Sequence, residues 1–405
     1  MNRVVVTGMG AVSACGIGVD KLWHAARHGI SGVGHLDFAD LPRQLVKQAA
    51  MISQEDIGTI WENAKPRMQD RVTAIALMAA REAVAQSGLI EGDFGTDCGV
   101  AIGSGYGGAE TNTRNMADFI RDPASRMDPM SIPKIMTNSP ASWVSMQFGA
   151  RGSTMCISTA CASATQSIGV SAHMIRHGML KRCIAGGSEA LLVPSVFRAW
   201  ELMRVMTAGL CRPFSAGRDG MTLGEGAGIV VLESLNAALA RGADIIAEVA
   251  GYGSTSDAND LLRPDPRGAG SCMEAAIGDA GLEPLDIAYI NAHGTGTVAN
   301  ELSETEALRN VFGSRLEDVL VSSTKPIHGH ALGAAGAIEF IVTVKALAER
   351  IAPPTINFVE VDPKLGIDPV ANTARPFTGD ACLSNSFAFG GINASLAIKR
   401  YVAPA

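Results

Sequence analysis

The chain has 405 residues, of which 47% are hydrophobic and 18% are charged, and its formal net charge at pH 7 is −7. This length can bury a large core, and the composition is typical of a folded globular protein. The acidic balance gives no support to nucleic-acid binding. No apolar run is long enough to span a membrane, and residues 1–8 lack the features of a signal peptide. We therefore expect a cytoplasmic protein with no membrane insertion.

The eight cysteines are scattered along the chain and form no C-x-x-C pair. This spacing indicates neither a zinc ribbon nor a redox dithiol. Unpaired cysteines suit a reducing compartment. We expect no bound metal and no cofactor.

Strand-like apolar runs alternate with helix-like runs along the chain, which predicts an α/β architecture. The predicted strands cover residues 3–7, 99–103, 154–157, 183–186, 228–232, 246–251, 288–291, 319–322, 381–384 and 394–398. The predicted helices cover residues 70–87, 162–177, 268–280, 301–311 and 333–350. The strands fall into two sets, so we expect two similar halves, residues 1–250 and residues 251–405.

A glycine-rich turn follows the second predicted strand. Residues 103–108, Gly-Ser-Gly-Tyr-Gly-Gly, fit the G-x-G-x-x-G pattern of dinucleotide-binding proteins. That pattern also requires an acidic residue at the end of the next strand, about twenty residues on. Residues 122–129 are instead typical of a loop, so we do not expect a nucleotide site.

The most informative segment is residues 158–164, Ser-Thr-Ala-Cys-Ala-Ser-Ala. It predicts a strand, a tight turn and a helix, with Cys161 on the turn among small neighbours. A helix N-terminus favours the thiolate form, so Cys161 is a candidate nucleophile. A buried structural cysteine is the alternative, because free cysteines are among the most buried residues.

Two histidine-containing loops follow strand-like runs in the second half. Residues 291–297 are Asn-Ala-His-Gly-Thr-Gly-Thr, and residues 322–330 are Ser-Ser-Thr-Lys-Pro-Ile-His-Gly-His. Loops at strand ends carry the chemistry of many α/β folds. His293 and His330 are therefore candidates for the same site as Cys161.

Taken together and in this order, these segments resemble the elongating β-ketoacyl-acyl-carrier-protein synthases (type II) of the thiolase superfamily. Further matching segments are residues 4–10, 212–214, 218–220, 224–228 and 384–391. The resemblance implies a thiolase-like fold, in which two similar βαβαβαββ halves form a layered α-β-α-β-α core. It also implies a homodimer that uses malonyl and acyl thioesters carried by an acyl carrier protein. The glycine-rich turn at residues 103–108 then becomes a candidate wall of the acyl tunnel.

The resemblance implies a role for each candidate residue. Cys161 accepts the acyl group, and His293 and His330, as neutral imidazoles, stabilise the enolate left when the malonyl group loses carbon dioxide. The backbone N–H groups of Cys161 and Phe389 form an oxyanion hole, and Phe389 gates the acyl pocket. Lys325 either takes part in the chemistry or forms an ion pair with Glu339. The remaining implied site residues are Thr295, Thr297, Gly390 and Gly391, which contact substrate, and Glu304, which orders the histidine loop or a nearby ion.

The chain departs from the common pattern of this family at several positions. Ala388 replaces a glycine, Ile392 a threonine and Glu301 an aspartate, and residues 257–264 lack the usual histidine and threonine. None of these changes removes a reacting group. They leave chain length and substrate preference open, so a specialised nodulation-, aryl-polyene- or polyketide-type ketosynthase is an alternative.

Three other functions agree with parts of the sequence. A non-catalytic chain-length partner lacks the cysteine, so Cys161 argues against it. A degradative thiolase needs a second catalytic cysteine, and Cys382 lacks the glycine setting for that role. A zinc hydrolase could use His293, His328 and His330 as ligands.

An acidic carrier protein requires basic residues near the mouth of the tunnel. The apolar segment 130–136 is a candidate for the dimer contact. The candidate basic residues are Lys65, Arg67, Arg71, Arg126, Lys134, Arg198 and Arg204.

Overall fold

Fifteen strands and thirteen α-helices alternate along residues 1–124 and 126–403, which this computed structural model describes. The strands are β1 (Val4–Ser13), β2 (Gly16–Ile17), β3 (Val33–His35), β4 (Gln48–Ala50), β5 (Cys98–Gly103), β6 (Thr154–Met155), β7 (Arg182–Glu189), β8 (Gly226–Ser234), β9 (Ala247–Ser256), β10 (Ile287–Asn291), β11 (Leu320–Ser322), β12 (Ile351–Ala352), β13 (Arg375–Pro376), β14 (Ala381–Ala388) and β15 (Ile392–Lys399). The helices are α1 (Val19–His28), α2 (Gln54–Glu62), α3 (Arg71–Ser87), α4 (Ala109–Arg121), α5 (Ser131–Ile135), α6 (Ser139–Phe148), α7 (Ser163–Arg176), α8 (Pro194–Leu202), α9 (Leu235–Ala240), α10 (Pro266–Asp279), α11 (Val298–Phe312), α12 (Lys325–His328) and α13 (Ala335–Glu349).

Ten strands form one continuous path in the order β11-β10-β14-β15-β9-β1-β8-β7-β5-β6. The five path strands of each half can be numbered one to five in chain order. From the central β9–β1 contact outward, both halves then show the same order: one, five, four, two, three. The pairings repeat as well, two antiparallel and then two parallel. The predicted duplication is thus present in the topology. The predicted division after residue 250 falls inside β9, and we propose that the halves divide in residues 241–246.

Helices α7 and α13 lie between the two half-sheets. Helix α7 contacts β5 and β7 on one side and β9 and β15 on the other, while α13 contacts β7 and β8 on one side and β14 and β15 on the other. Helices α3 and α6 pack against the outer face of the first half-sheet, and α10, with α11 behind it, packs against the outer face of the second. This gives the predicted α-β-α-β-α layers.

Close packing of α3 on β1 depends on two glycines in the strand. A Cβ at Gly8 would lie 2.0 Å from the carbonyl oxygen of Ala83, and a Cβ at Gly10 would lie 1.9 Å from that of Ala79. The helix begins after Asp70, whose carboxylate accepts a hydrogen bond from the Val72 amide (3.2 Å), and it ends at Gly88 in the left-handed conformation.

The duplication explains why distant motifs meet. The third strand of each half, β6 or β11, leads into a central helix. Cys161 lies in a short 3₁₀ turn (Ala160–Ala162) before α7, and His330 lies just before the 3₁₀ turn (Leu332–Ala334) that precedes α13. Because α7 and α13 share one layer, the two turns are brought together at the carboxyl ends of the strands.

Candidate active site

Cys161 lines a cavity of about 70 Å³, and the residue is 5% exposed. The preceding residue, Ala160, has a φ of 49°, a conformation that is strained for a residue with a side chain. Two hydrogen bonds of the Ser163 hydroxyl hold this turn: it accepts from the Thr159 amide (2.8 Å) and donates to the Ala160 carbonyl (2.7 Å). The strained turn directs the sulfur into the cavity.

The imidazole of His330 contacts this sulfur directly, with Nε2 3.0 Å from Cys161 Sγ. The backbone of His330 is fixed by two hydrogen bonds, one from its amide to the Thr222 carbonyl (2.8 Å) and one from the Gly224 amide to its carbonyl (3.0 Å). Burial, with a further contribution from Lys325, lowers the pKa of His330 well below its usual value. The ring is therefore neutral at pH 7.

Burial raises the pKa of the Cys161 thiol to about 12. Lys325 and the local amides lower this pKa, but their effects are smaller than that of burial. Burial therefore acts against the predicted preference of the helix N-terminus for the thiolate form. The backbone amides of Cys161 and Phe389 both lower the pKa of this thiol, which places them near the sulfur. These are the two amides predicted to form the oxyanion hole.

His293 completes the group of three side chains. Its ring nitrogen, the Cys161 sulfur and a ring nitrogen of His330 all lie within 4.8 Å of one another. Burial lowers the pKa of His293 well below its usual value, so this ring is also neutral. Lys325 Nζ lies 3.4 Å from Nδ1 of His293. Because an ammonium group can only donate, this contact leaves the imidazole proton on Nε2.

Glu304 holds the backbone of the His293 loop. Its carboxylate accepts hydrogen bonds from the amides of His293 (2.7 Å) and Gly294 (2.8 Å) and from the side chain of Asn300 (3.0 Å). The side chain is 1% exposed. These contacts match the predicted ordering of the loop by Glu304.

Lys325 and Glu339 form an ion pair that is almost completely buried, at 1% and 0% side-chain exposure. The Lys325 ammonium also donates to the carbonyl oxygen of His293. Burial raises the pKa of Glu339 to about 7, although Lys325 opposes this shift. The pair expected from the sequence is present, and it links helix α13 to the histidine loop.

A single change at this pair should destabilise the protein far more than a double change. Lys325→Met leaves the carboxylate of Glu339 buried without its partner, which we expect to cost about 3–5 kcal/mol of unfolding free energy. The double variant Lys325→Met/Glu339→Leu removes both charges and should recover to within about 1 kcal/mol of wild type. Urea unfolding of the three proteins measures both values. Equal losses in the single and double variants would show that the cost comes from packing and not from the unpaired charge.

The cluster of Cys161, His293 and His330 offers three soft or borderline ligand atoms, a set that zinc could also use. The predicted alternative based on three histidines is not formed. His328 Nε2 instead contacts the Thr324 hydroxyl at 2.9 Å, and its Nδ1 contacts the Gly329 carbonyl at 2.8 Å. His328 is completely buried behind the site.

Phe389 lies in the turn after β14, and its ring stacks on that of Trp200, with centroids 5.9 Å apart. Gly390 and Gly391 follow with φ values of 86° and 67°, which favour glycine. Ala388, which replaces the usual glycine, is buried and lines the cavity beside Phe389. Trp200 was not predicted to be a site residue, because helix α8 carries no motif around it.

Thr295 and Thr297 line the cavity above the histidines, and their hydroxyls lie 2.9 Å apart. Thr297 also caps α11 by accepting a weak hydrogen bond from the Asn300 amide (3.4 Å). Glu301 accepts from the Gly296 amide (2.9 Å), and its other oxygen lies 3.2 Å from Arg218 Nε. Glu301, which replaces the usual aspartate, therefore holds the loop that contains Gly296 in place.

The glycine-rich turn at residues 103–108 has its amides occupied. The carboxylate of Glu189 accepts from the Gly105 amide (2.7 Å), the Tyr106 amide (3.2 Å) and the Ser104 hydroxyl (3.1 Å). It also accepts from the Gly333 amide (3.0 Å), next to the His330 loop. A buried carboxylate where a pyrophosphate would bind agrees with the expectation of no nucleotide site. The turn is not among the residues that line the Cys161 cavity, so its predicted place in the tunnel wall stays without support.

Known families match most of the chain. Residues 1–238 match the family described as "Beta-ketoacyl synthase, N-terminal domain", and residues 246–359 match "Beta-ketoacyl synthase, C-terminal domain". Both the layered fold and a cysteine beside two histidines agree with this class of protein. The chain belongs to the β-ketoacyl synthase family.

Two curated relatives match over their full length. Nodulation protein E of Rhizobium sp. (strain N33) is 42% identical over 98% of this chain and 99% of its own length. The 3-oxoacyl-[acyl-carrier-protein] synthase 2 of Staphylococcus aureus (strain N315) is 39% identical over 99% of both chains.

Solved structures agree with this assignment. The ishigamide ketosynthase/chain length factor superposes with a TM-score of 0.94, at 33% identity over 99% of this chain and 100% of the other. A type II polyketide ketosynthase in complex with its acyl-carrier protein superposes with a TM-score of 0.89, at 29% identity over 99% of this chain and 100% of the other.

Proposed function

We propose that this protein is a 3-oxoacyl-acyl-carrier-protein synthase. It condenses an acyl group held on Cys161 with malonyl-acyl-carrier-protein, in fatty-acid or related acyl-chain synthesis. The observation that carries this proposal is the contact of 3.0 Å between His330 Nε2 and Cys161 Sγ, with His293 beside them in one cavity. A thiol next to two neutral imidazoles is suited to acyl transfer and to stabilising an enolate.

In the first step, Cys161 Sγ attacks the carbonyl carbon of the acyl thioester. The new S–C bond forms as the bond to the carrier sulfur breaks, and the thiol proton leaves on the carrier thiol. Negative charge develops on the carbonyl oxygen during the attack. The amides of Cys161 and Phe389, which lie near the sulfur, donate to that oxygen.

In the second step, the malonyl thioester loses carbon dioxide. The bond between the α-carbon and the carboxylate breaks, and its electron pair becomes the enolate, whose charge lies on the thioester oxygen. His293 and His330 donate Nε2–H to that oxygen. Both rings have a lowered pKa, so they act as neutral donors. Lys325 and Glu304 act by holding His293 in place.

In the third step, the enolate carbon attacks the acyl carbonyl on Cys161. A carbon–carbon bond forms, and the Cys161 sulfur leaves as a thiolate and takes up a proton from solvent. The product is a 3-oxoacyl thioester on the carrier. The thioester itself stabilises the carbanion, so no resident metal is needed for these steps.

The carrier partner is supported by the neighbour that was solved with its acyl-carrier protein. Three of the predicted basic residues are unsuited to carrier binding because carboxylates of this chain neutralise them: Arg71 pairs with Glu225, Arg198 with Glu201 and Lys134 with Asp128. Lys65, Arg67, Arg126 and Arg204 remain as candidates.

Since all eight cysteines are unpaired, we also propose a reducing, cytoplasmic location.

A homodimer is supported by apolar side chains at one edge of the protein. Ile132 and Met136, in the segment predicted to be buried by a partner, are 68% and 49% exposed, and Phe119 and Ile120 of the neighbouring helix α4 are 46% and 74% exposed. Strand β6 ends the sheet with an open edge close by. Sedimentation equilibrium at micromolar concentration should give twice the chain mass. A monomer with full condensing activity would contradict both the dimer and a pocket shared across it.

The function is tested by incubating the protein with a panel of acyl carriers and then with malonyl carrier. We expect peptide mapping by mass spectrometry to find the acyl group on Cys161, and we expect 3-oxoacyl carrier and carbon dioxide as products. The half-buried Cys15 and Cys156 are the internal controls for nonspecific acylation. A chelator should leave the rate unchanged. Acylation shared among several cysteines, or hydrolysis that depends on added zinc, would rule out the proposal.

A further inference from the structure

The cavity that holds Cys161 runs from buried reacting groups to an exposed mouth. Cys161, His293 and His330 are at most 5% exposed, whereas Leu261 and Leu262, which line the same cavity, are 72% and 54% exposed. The mouth is therefore formed by the segment 261–264, which precedes α10. This segment lies in the stretch that departs from the usual family sequence.

Arg263, an exposed residue at this mouth, is the one formally charged side chain among the residues that line the cavity. The other lining side chains are apolar, neutral polar or neutral imidazole. Within residues 1–124 and 126–403, no carboxylate lies within 4.0 Å of the Arg263 guanidinium. Several arginines elsewhere are paired, as Arg218 is with Glu301 and Asp362. Arg263 thus presents a positive charge without an ion-pair partner at the entrance to a neutral cavity, although the nearby Asp260 carboxylate interacts with that charge.

The backbone around Arg263 is held in place. One oxygen of the Asp260 carboxylate accepts hydrogen bonds from the amides of Leu262 (2.8 Å) and Arg263 (2.9 Å). The Leu261 carbonyl accepts from the Gly390 amide at 2.8 Å, which ties the segment to the Phe389 turn. Because the Asp260 carboxylate is committed to these amides, it fixes the loop without forming an ion pair with the guanidinium.

We infer that Arg263 binds the phosphate at the outer end of the carrier's phosphopantetheine arm, an inference that rests on the proposed condensing function. A thioester delivered to Cys161 enters through this mouth on a long flexible arm. The thioester end lies by the histidines, the amides of the arm pass Thr295 and Thr297, and the phosphodiester that joins the arm to the carrier remains at the entrance. The planar guanidinium can donate to two phosphate oxygens at once.

The test compares two small substrates, malonyl-phosphopantetheine and malonyl-pantetheine, which differ in the phosphate alone. The wild-type protein should show a kcat/KM for decarboxylation roughly three- to tenfold higher with the phosphorylated substrate, mainly through KM. Arg263→Ala should bring this ratio close to one without changing kcat. Arg263→Lys keeps the charge but loses the paired donors, so it should give an intermediate ratio. The preference of the wild type should weaken at high salt.

Arg267→Ala is the matched control. Arg267 lies four residues away, is exposed, does not line the cavity, and pairs with Asp265 at 2.6 Å. Its loss should leave the ratio at the wild-type value. A second readout does not depend on turnover: phosphopantetheine should slow iodoacetamide labelling of Cys161 more than pantetheine does, in wild type and in Arg267→Ala but not in Arg263→Ala.

The outcomes separate this inference from the function on which it rests. An active wild type with the same ratio as Arg263→Ala would overturn the inference alone. An effect of Arg263→Ala seen with intact carrier, but equal for the two small substrates, would assign Arg263 to a carboxylate of the carrier and overturn the phosphate contact. A wild type that decarboxylates neither substrate nor malonyl carrier would overturn both.

Discussion

Cys161→Ala should abolish condensation, with a loss of about 10⁴-fold or more, while malonyl decarboxylation continues. The variant removes the atom to which the acyl group is attached, and changes at a nucleophile are among the most damaging in enzymes. His293, His330 and Lys325 keep their backbone hydrogen bonds and their ion pair in this variant, so enolate formation keeps its donors. Separate assays of carbon dioxide release and of 3-oxoacyl product distinguish the two steps.

Cys156→Ala is the control for this experiment. Cys156 lies five residues earlier, is partly buried, and is absent from the cavity lining. It should retain both activities. Simultaneous loss of decarboxylation and condensation in Cys161→Ala, with the fold preserved, would mean that the sulfur takes part in enolate formation and that the proposed division of steps is incorrect.

The sequence was sufficient to predict the ten strands of the two half-sheets, because each is a distinct apolar run. Strand β1 continues to Ser13, well past the predicted end at residue 7, since Gly8 and Gly10 look like strand breakers in the sequence. They are instead the points at which α3 approaches the strand. The short strands β2, β3, β4, β12 and β13 were not predicted, because two or three residues carry no periodicity.

The candidate site was predictable where a motif lies on a loop, and less so where a contact joins distant segments. Cys161, His293 and His330 were identified from local patterns. Trp200 and Glu189 were missed because each acts on a partner far away in sequence, Phe389 in one case and the Gly105 and Gly333 amides in the other. The raised pKa of Cys161 was missed for the same reason: the helix dipole is local, whereas burial is produced by the whole fold.

The two histidines should differ in their effect on the two half-reactions. Either His293→Ala or His330→Ala should lower malonyl decarboxylation by about 10²–10³-fold, because each removes one donor to the enolate oxygen. Acyl transfer to Cys161 should stay near wild type in His293→Ala. In His330→Ala it should be slower but detectable, since of the two histidine rings it is that of His330 that contacts the sulfur, at 3.0 Å. Rapid-quench mass spectrometry of the Cys161 peptide measures acylation, and carbon dioxide release measures decarboxylation.

His328→Ala is the matched histidine control, two residues from His330 and equally buried. Its ring contacts Thr324 and Gly329 behind the cavity, so its loss should lower stability through a cavity and a broken hydrogen bond but should change decarboxylation much less. Comparing decarboxylation per folded molecule, with folding followed by circular dichroism, separates the two effects. If His328→Ala damages decarboxylation as severely as His330→Ala, the enolate is not stabilised by His293 and His330 as a pair. A different result would be that His293→Ala blocks acylation as strongly as it blocks decarboxylation. In that case the Lys325 ammonium, which no longer contacts the His293 ring, acts on the sulfur. The roles assigned to the two histidines must then be exchanged.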